Sequence, residues 1–318
     1  MRAAVFGAIL LLFLGTTFTA YADYAYYRVL PADLPCRNCS GEAQAVSVGG
    51  FDLYYRELGP ADDPVPVVLL HGGPGHSSLS FKQGFDFLAQ DRRVIYYDQR
   101  GSGNSQIKPD PSLYTIEQLV EELETLRREV LHTEKIVLVG HSAGGALAQR
   151  YALAHPERVE RLILIGSIKI NNGIGVPLLW DAFGPVLYAA GPGFPPADPE
   201  AADAWFAELM LTTSLPRLFD PADRSLIEDS GYVSFATWRE VSRSLGGTDY
   251  AAALQALYIK TLVMYGAADG DATGKNAAAS ICGLLPECML AGFERSGHWP
   301  FLEEPGAFQA AIHSFLHG

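Results

Sequence analysis

The stretch Lys135-Ile136-Val137-Leu138-Val139-Gly140-His141-Ser142-Ala143-Gly144-Gly145 limits the fold more sharply than any other in the chain. A β-branched apolar run passes without a linker into Gly-x-Ser-x-Gly, and an Ala-rich helical pattern follows at once. This is a strand–turn–helix context. Such a turn is so tight that its flanking residues must be small, which accounts for Gly140 and Gly144. It lifts the Ser142 hydroxyl clear of the sheet and onto the start of the next helix. There the oxygen can reach a base, and the Ala143 amide can donate to a developing oxyanion. The plain alternative is a Gly-rich turn with an incidental Ser, and the remaining chain argues against it.

With 318 residues, 48% of them hydrophobic, the chain has material for one large domain with an insertion, or for two. Its start reads as a signal peptide over residues 1–22. Arg2 supplies the positive charge, Ala3 to Leu14 the apolar run, and Ala20-Tyr21-Ala22 a small-x-small cleavage site before Asp23. The expected location is secreted or periplasmic, with an uncleaved N-terminal anchor as the alternative. Removing residues 1–22 takes away one Arg and no acid, so the charge becomes 22 − 36 = −14. An acidic surface argues against nucleic acid and anionic membrane as partners. No later stretch reads as a membrane span. In an exported chain, Cys36, Cys39, Cys282 and Cys288 suggest disulfides; four cysteines allow three connectivities. The local pairs Cys36–Cys39 and Cys282–Cys288 are expected.

After an irregular leader at 23–42, Ala43–Val48 and Phe51–Leu58 read as a hairpin across Gly49-Gly50. Val65–Leu70 is a buried strand by its unbroken apolar character. It ends in His71-Gly72-Gly73-Pro74-Gly75, a loop of exposed amides in which Gly73 is the candidate second oxyanion donor. A structural role is expected for His71. Leu79–Gln90 suits a helix and Arg93–Tyr97 a strand. The polar turn Asp98-Gln99-Arg100 is expected to lock a loop through an ion pair and a hydrogen-bond hub. Thr115-Ile116-Glu117-Gln118 is a capping box opening a helix to about Leu131, with its charges mostly on a solvated face. Arg161–Gly166 is a further strand.

From 168 to 254 the pattern changes. Gly and Pro become dense, and Trp180, Phe183, Tyr188, Trp205, Phe206, Tyr232, Phe235 and Trp238 accumulate. Helices are expected near 201–212 and 235–245, with no strand–helix alternation. This reads as a helical cap inserted into a core made of 43–167 and 255–318, placed to roof a site and exclude water. Most of its aromatics are expected simply to pack. Thr261–Tyr265 resumes the sheet, followed by Asp269, with Asp271 as its rival. A helix at about 273–282, a strand at Cys288–Phe293, the turn carrying His298, and a last helix at about 306–316 complete the chain.

Ser142 on a turn, an acid after a later strand and His298 after the last strand form a nucleophile–acid–base order. His298 would take the Ser142 proton, and Asp269 would orient the imidazole and stabilise its charged form. No metal site is expected. A non-catalytic binding protein on the same fold is the alternative from another class. Such proteins typically lose a triad member, and this chain keeps a candidate for each.

On these residues the chain resembles the α/β-hydrolase superfamily over nearly all of 43–318. The resemblance implies an α/β fold with a mostly parallel central sheet flanked by helices. Within the superfamily, His71-Gly72-Gly73-Pro74-Gly75 with Asp98-Gln99-Arg100-Gly101-Ser102-Gly103-Asn104-Ser105 is similar to the proline iminopeptidase family. That implies a serine aminopeptidase releasing N-terminal Pro or another N-terminal residue from short peptides, without a cofactor. Two features depart from the family pattern. Its elbow is commonly Gly-Gly-Ser-Trp-Gly, whereas the His141 form here is commoner among esterases and lactonases. The family also holds the substrate ammonium with cap glutamates, for which Glu208 and Glu228 are the loose counterparts. Carboxylesterase or lactonase action on small esters is therefore the alternative.

Overall fold

The computed structural model describes residues 42–108, 110–170, 198–228, 233–246 and 248–318. The expected signal peptide, the leader up to residue 41, the Cys36–Cys39 pair and Trp180, Phe183, Tyr188 and Tyr232 lie outside the described residues. Among the described residues eight strands form one sheet: Glu42–Val48 (β1), Phe51–Leu58 (β2), Val67–Leu70 (β3), Val94–Tyr97 (β4), Ile136–His141 (β5), Val159–Ile165 (β6), Thr261–Gly266 (β7) and Cys288–Phe293 (β8). Their order is β1-β2-β4-β3-β5-β6-β7-β8. The β1–β2 and β2–β4 pairs are antiparallel, and every pair from β4–β3 to β7–β8 is parallel.

The continuous apolar runs follow from burial on both faces. Strands β3, β5 and β7 are buried along their whole length. Because side chains alternate across a strand, neighbouring residues feed different cores. Val68, Leu70, Leu138, Leu164 and Val263 enter one apolar cluster. Val67, Leu69, Val139, Ile163 and Met264 enter the other. Helices Ile116–Thr125 (α1) and Ala143–Ala154 (α2) cover the first face with Leu119, Leu123, Leu147 and Tyr151.

Between β6 and β7 the described residues form helices Pro199–Ser214 (α3), Phe235–Ser244 (α4) and Ala251–Gln255 (α5) and no strand. The aromatics there pack mainly on one another: Phe206, Leu209, Val233 and Phe235 make a small cluster with Trp205 and Trp238 against it. After β7 come Lys275–Cys282 (α6), Pro300–Glu303 (α7) and Pro305–His317 (α8). The second face is covered by α8 through Phe308, Ile312 and Phe315, beside Phe81 and Phe85. Cys282 and Cys288 are disulfide-bonded across the turn into β8.

Four local expectations change. The helix read at Leu79–Gln90 is two short 3-10 turns, Ser78–Phe81 and Asp86–Gln90. Lys82 takes a φ of 48° between them, which breaks the helical path. The capping box is half made. Thr115 Oγ1 accepts from Gln118 N at 3.3 Å, but the Gln118 side chain turns to accept from Arg100 Nη1 at 3.1 Å. The charges of α1 are not all solvated either. Glu122 is buried and pairs with Arg100 at 2.7 Å, with side chains 0% and 4% exposed.

Arg100 thus pairs with Glu122 and not with Asp98. Asp98 is the hub alone: its carboxylate accepts from Ser78 N at 2.6 Å and Asn104 N at 2.7 Å. A buried ion pair is costly to break because the remaining charge has no water to turn to. Glu122→Ala is expected to lower stability by about 3–5 kcal/mol, read from the denaturant midpoint. Adding Arg100→Met should restore much of it. A loss below about 1 kcal/mol, the size of an exposed pair, would show that water reaches the pair.

Candidate active site

The C-terminal ends of β3, β5, β6, β7 and β8 meet at one edge of the sheet, the usual place for a ligand crevice in open α/β sheets. At the end of β5, Ser142 takes φ 56° and ψ −118°, a region disfavoured for a residue with a Cβ. The surroundings hold it there. Ser142 N donates to Ile165 O at 2.9 Å, and Ser142 O accepts from Gly145 N at 3.0 Å and Ile168 N at 3.1 Å. The flanking glycines are needed for close approach: a Cβ at Gly144 would overlap the carbonyl oxygens of Leu70 and His71, and one at Gly140 the Gly144 carbonyl. Ala143 opens α2, so its amide belongs to the first turn, where no intrahelical acceptor exists.

His298 lies in the turn after β8 and is 2% exposed. Its Nδ1 stands 2.7 Å from Asp269 Oδ2. Asp269 follows β7, and its side chain is fully buried. Gly270 N donates to Oδ1 at 2.9 Å and Thr273 Oγ1 to Oδ2 at 2.8 Å. Asp271 is exposed, and its Oδ1 accepts from Asn276 Nδ2 at 3.3 Å. Of the two acids left open by the sequence, Asp269 is the one facing the imidazole.

Burial by itself would push the Asp269 carboxyl up. His298 beside it, the Arg217 charge and the Thr273 bond outweigh burial and hold it well below the usual carboxylate range. For His298, burial and then the Arg217 charge push the imidazole below its ordinary value, against the opposing pull of Asp269. Near neutral pH the pair is therefore a carboxylate and a neutral imidazole.

His141 carries the loop from below. Its ring is 4.5 Å from that of His298, and its Nε2 is 2.9 Å from the His298 carbonyl oxygen, to which it can donate. Burial holds His141 well below its ordinary value, hence neutral. His71 is structural as expected: Nδ1 donates to Gly72 O at 3.1 Å and Nε2 accepts from Gln99 N at 3.2 Å. Burial pushes it down to about 4.

A cavity of about 600 Å³ opens over these groups. Ser142, Ala143, Gly73 and His298 line it from the sheet side. Met210, Leu211, Ile227, Val233 and Trp238 line it from the insertion. Glu208 and Glu228 also line it. Glu208 is exposed, with the Thr212 hydroxyl 3.4 Å from its Oε1, and Glu228 pairs with Arg224. Among the described residues no cluster of His, Cys, Asp and Glu is arranged to hold a metal ion.

Two residues at the site carry no sequence signal strong enough to find them. Gly166, at φ 48°, directly follows β6, and a Cβ there would come within 2.9 Å of His298 Nδ1. Its absence makes room for the acid–imidazole pair. Arg217 arrives from the insertion onto Asp269, and nothing in its spacing marks it.

A family model described as alpha/beta hydrolase fold matches residues 65–305. The proline iminopeptidase of Lactobacillus delbrueckii subsp. bulgaricus is 30% identical over 295 residues, covering 84% of this chain and 95% of that protein. That of Lactobacillus acidophilus is 48% identical over 123 residues, but the match spans only 37% of this chain and 41% of the relative's length. Among solved structures, a hydrolase from Pseudomonas aeruginosa superposes with a TM-score of 0.67 at 25% identity, covering 88% of this chain and all of that one. A thermophilic esterase from Thermogutta terrifontis does so with a TM-score of 0.68 at 23% identity, covering 87% and 98%.

Proposed function

The chain belongs to the α/β-hydrolase family and within it is proline iminopeptidase-like, and from that premise we propose that it is a serine hydrolase working through an acyl-enzyme. Ser142 Oγ attacks a carbonyl while His298 takes its proton. The amides of Gly73 and Ala143 receive the oxyanion. His298 then protonates the leaving group and activates the water that releases the acid. The observation that carries this reading is the strained Ser142 turn opening into the same cavity as a buried His298–Asp269 pair.

We propose an N-terminal residue of a short peptide, Pro foremost, as the substrate. A cavity of about 600 Å³ suits a ligand of a few residues. Glu208 and Glu228 give it carboxylates for an ammonium group, and Trp238 an aromatic face. A second reading, hydrolysis of small esters, is favoured by the apolar side chains of Met210, Leu211, Ile227 and Val233 in the lining. Parallel assays with a proline arylamide and a short-chain aryl ester decide between them; turnover of the ester alone rejects the peptidase reading. Glu208→Gln is expected to raise KM for the arylamide about threefold to tenfold, an exposed charge being partly screened. KM for the uncharged ester should not move. Equal effects on both substrates would remove Glu208 from amine recognition.

An exported location is part of the same proposal. It is supported by the signal-like residues 1–22 and by the Cys282–Cys288 bond, a linkage that persists in oxidising compartments. No helix among the described residues is long and apolar enough to cross a membrane.

A further inference from the structure

Arg217 ends the 3-10 turn Leu215–Arg217 that follows α3. Its carbonyl oxygen accepts from His298 N at 2.7 Å. Gly297 permits that approach, since a Cβ there would collide with the same oxygen. The guanidinium then turns onto the acid. Nε and Nη2 lie 3.2 and 3.1 Å from Asp269 Oδ1, and Nη2 is 2.6 Å from Thr273 Oγ1. The same Nη2 stands 2.7 Å from His298 Nδ1.

That last distance has a chemical consequence. Nδ1 has a single in-plane position. If it carries a proton, it donates to Asp269 Oδ2 and meets an arginine N–H head on. If it does not, it accepts from Arg217, and the ring proton sits on Nε2, the nitrogen that has to be empty to act on Ser142. An imidazolium, protonated at both nitrogens, is opposed by the cation in either case. We propose that Arg217 is a positioning residue for this site: it clamps Asp269 through Oδ1, leaves Oδ2 to the imidazole and the Thr273 hydroxyl, and makes His298 a weaker base than the acid–imidazole pair alone would.

The inference rests on the triad reading above. Among the described residues, the charged or titratable groups around His298 are few. Asp269 and Arg217 act on it directly, and the His141 ring beside it is neutral. Glu303 accepts from the amides of Gly297 at 2.9 Å and Trp299 at 3.2 Å, on either side of it. Glu303 is present in every variant compared, so a difference between variants reports on Arg217. The sign is fixed by the charge. Without the cation, His298 binds its proton more tightly, and the base becomes available only at higher pH.

The test is the pH dependence of kcat/KM on the better of the two substrates, for the parent protein, Arg217→Gln, Arg217→Met and Arg217→Lys. The His298 imidazole is titrated by NMR in the same proteins, its resonance assigned by its loss in His298→Gln. The acid-side midpoint is expected to rise by about 0.5–1 pH unit in the Gln and Met variants, as for loss of a neighbouring charge, and to stay nearer the parent in the Lys variant. The Met variant keeps the apolar stem, so a poorly folded Gln variant does not decide the matter. A midpoint that stays put or falls in both readouts overturns the proposal, however far kcat drops, because a merely structural arginine would lower kcat without moving it. If Ser142→Ala leaves turnover intact, the triad reading fails separately, and the NMR titration still reports the coupling of Arg217 to His298.

Discussion

Ser142→Ala is expected to cut turnover of any good substrate by about 10⁴–10⁶-fold, the range found when a serine nucleophile is removed. Substrate affinity should be nearly unchanged, because the cavity keeps its shape. The fold should survive as well, since the positive φ of Ser142 is held by its backbone bonds to Ile165, Gly145 and Ile168 and not by its hydroxyl. Residual turnover would come from the oxyanion donors and from binding. Labelling by a fluorophosphonate probe should vanish in the same variant. Unchanged turnover would remove Ser142 from the chemistry. A parent protein that neither labels nor turns over any ester or arylamide would favour a binding protein on this fold.

The second large effect is expected at Asp269. An asparagine there can present its amide N–H₂ to His298 Nδ1 where the carboxylate now accepts. The imidazole would then carry its proton on Nε2 and be unable to take one from Ser142. A loss of about 10⁴ in kcat is the expected size for such an exchange. Asp271→Asn is the control. Its carboxylate lines the cavity but is exposed and bonded to Asn276, not to His298, so any effect should fall on KM, with kcat staying within about twofold. If Asp271→Asn were the damaging variant, the acid would have to come from a loop arrangement different from the one described. Two residues apart in one turn, the two carboxylates differ chemically only through what surrounds them.

Much of the architecture was legible because it rests on neighbours along the chain. The alternation that sends Val67 and Val68 into different cores is a property of any strand. Gly140 marks the turn at Ser142 through crowding within a few residues, against the Gly144 carbonyl, whereas Gly144 itself is required by the distant carbonyls of Leu70 and His71. Where the local pattern misled, a distant partner was the cause. Glu122 belongs by periodicity to a solvated helix face, but Arg100, brought in by β4, draws it into the interior. Leu79–Gln90 has helical composition, yet Gly84 lies against Phe301 of α7, and the chain turns at Lys82 instead.

The sequence alone therefore determined the strands, the elbow at Ser142 and the order in which the candidate acid and His298 follow it, since each is written in short-range sterics and periodicity. Tertiary structure decided which acid meets His298, that Gly166 clears a space for their contact, and that Arg217 from the insertion grips the acid from its other side. Those choices depend on several strand ends and an inserted segment converging at one edge of a sheet. Residues 52 and 81 positions away from Arg217 become its neighbours there, and no spacing along the chain records such a meeting.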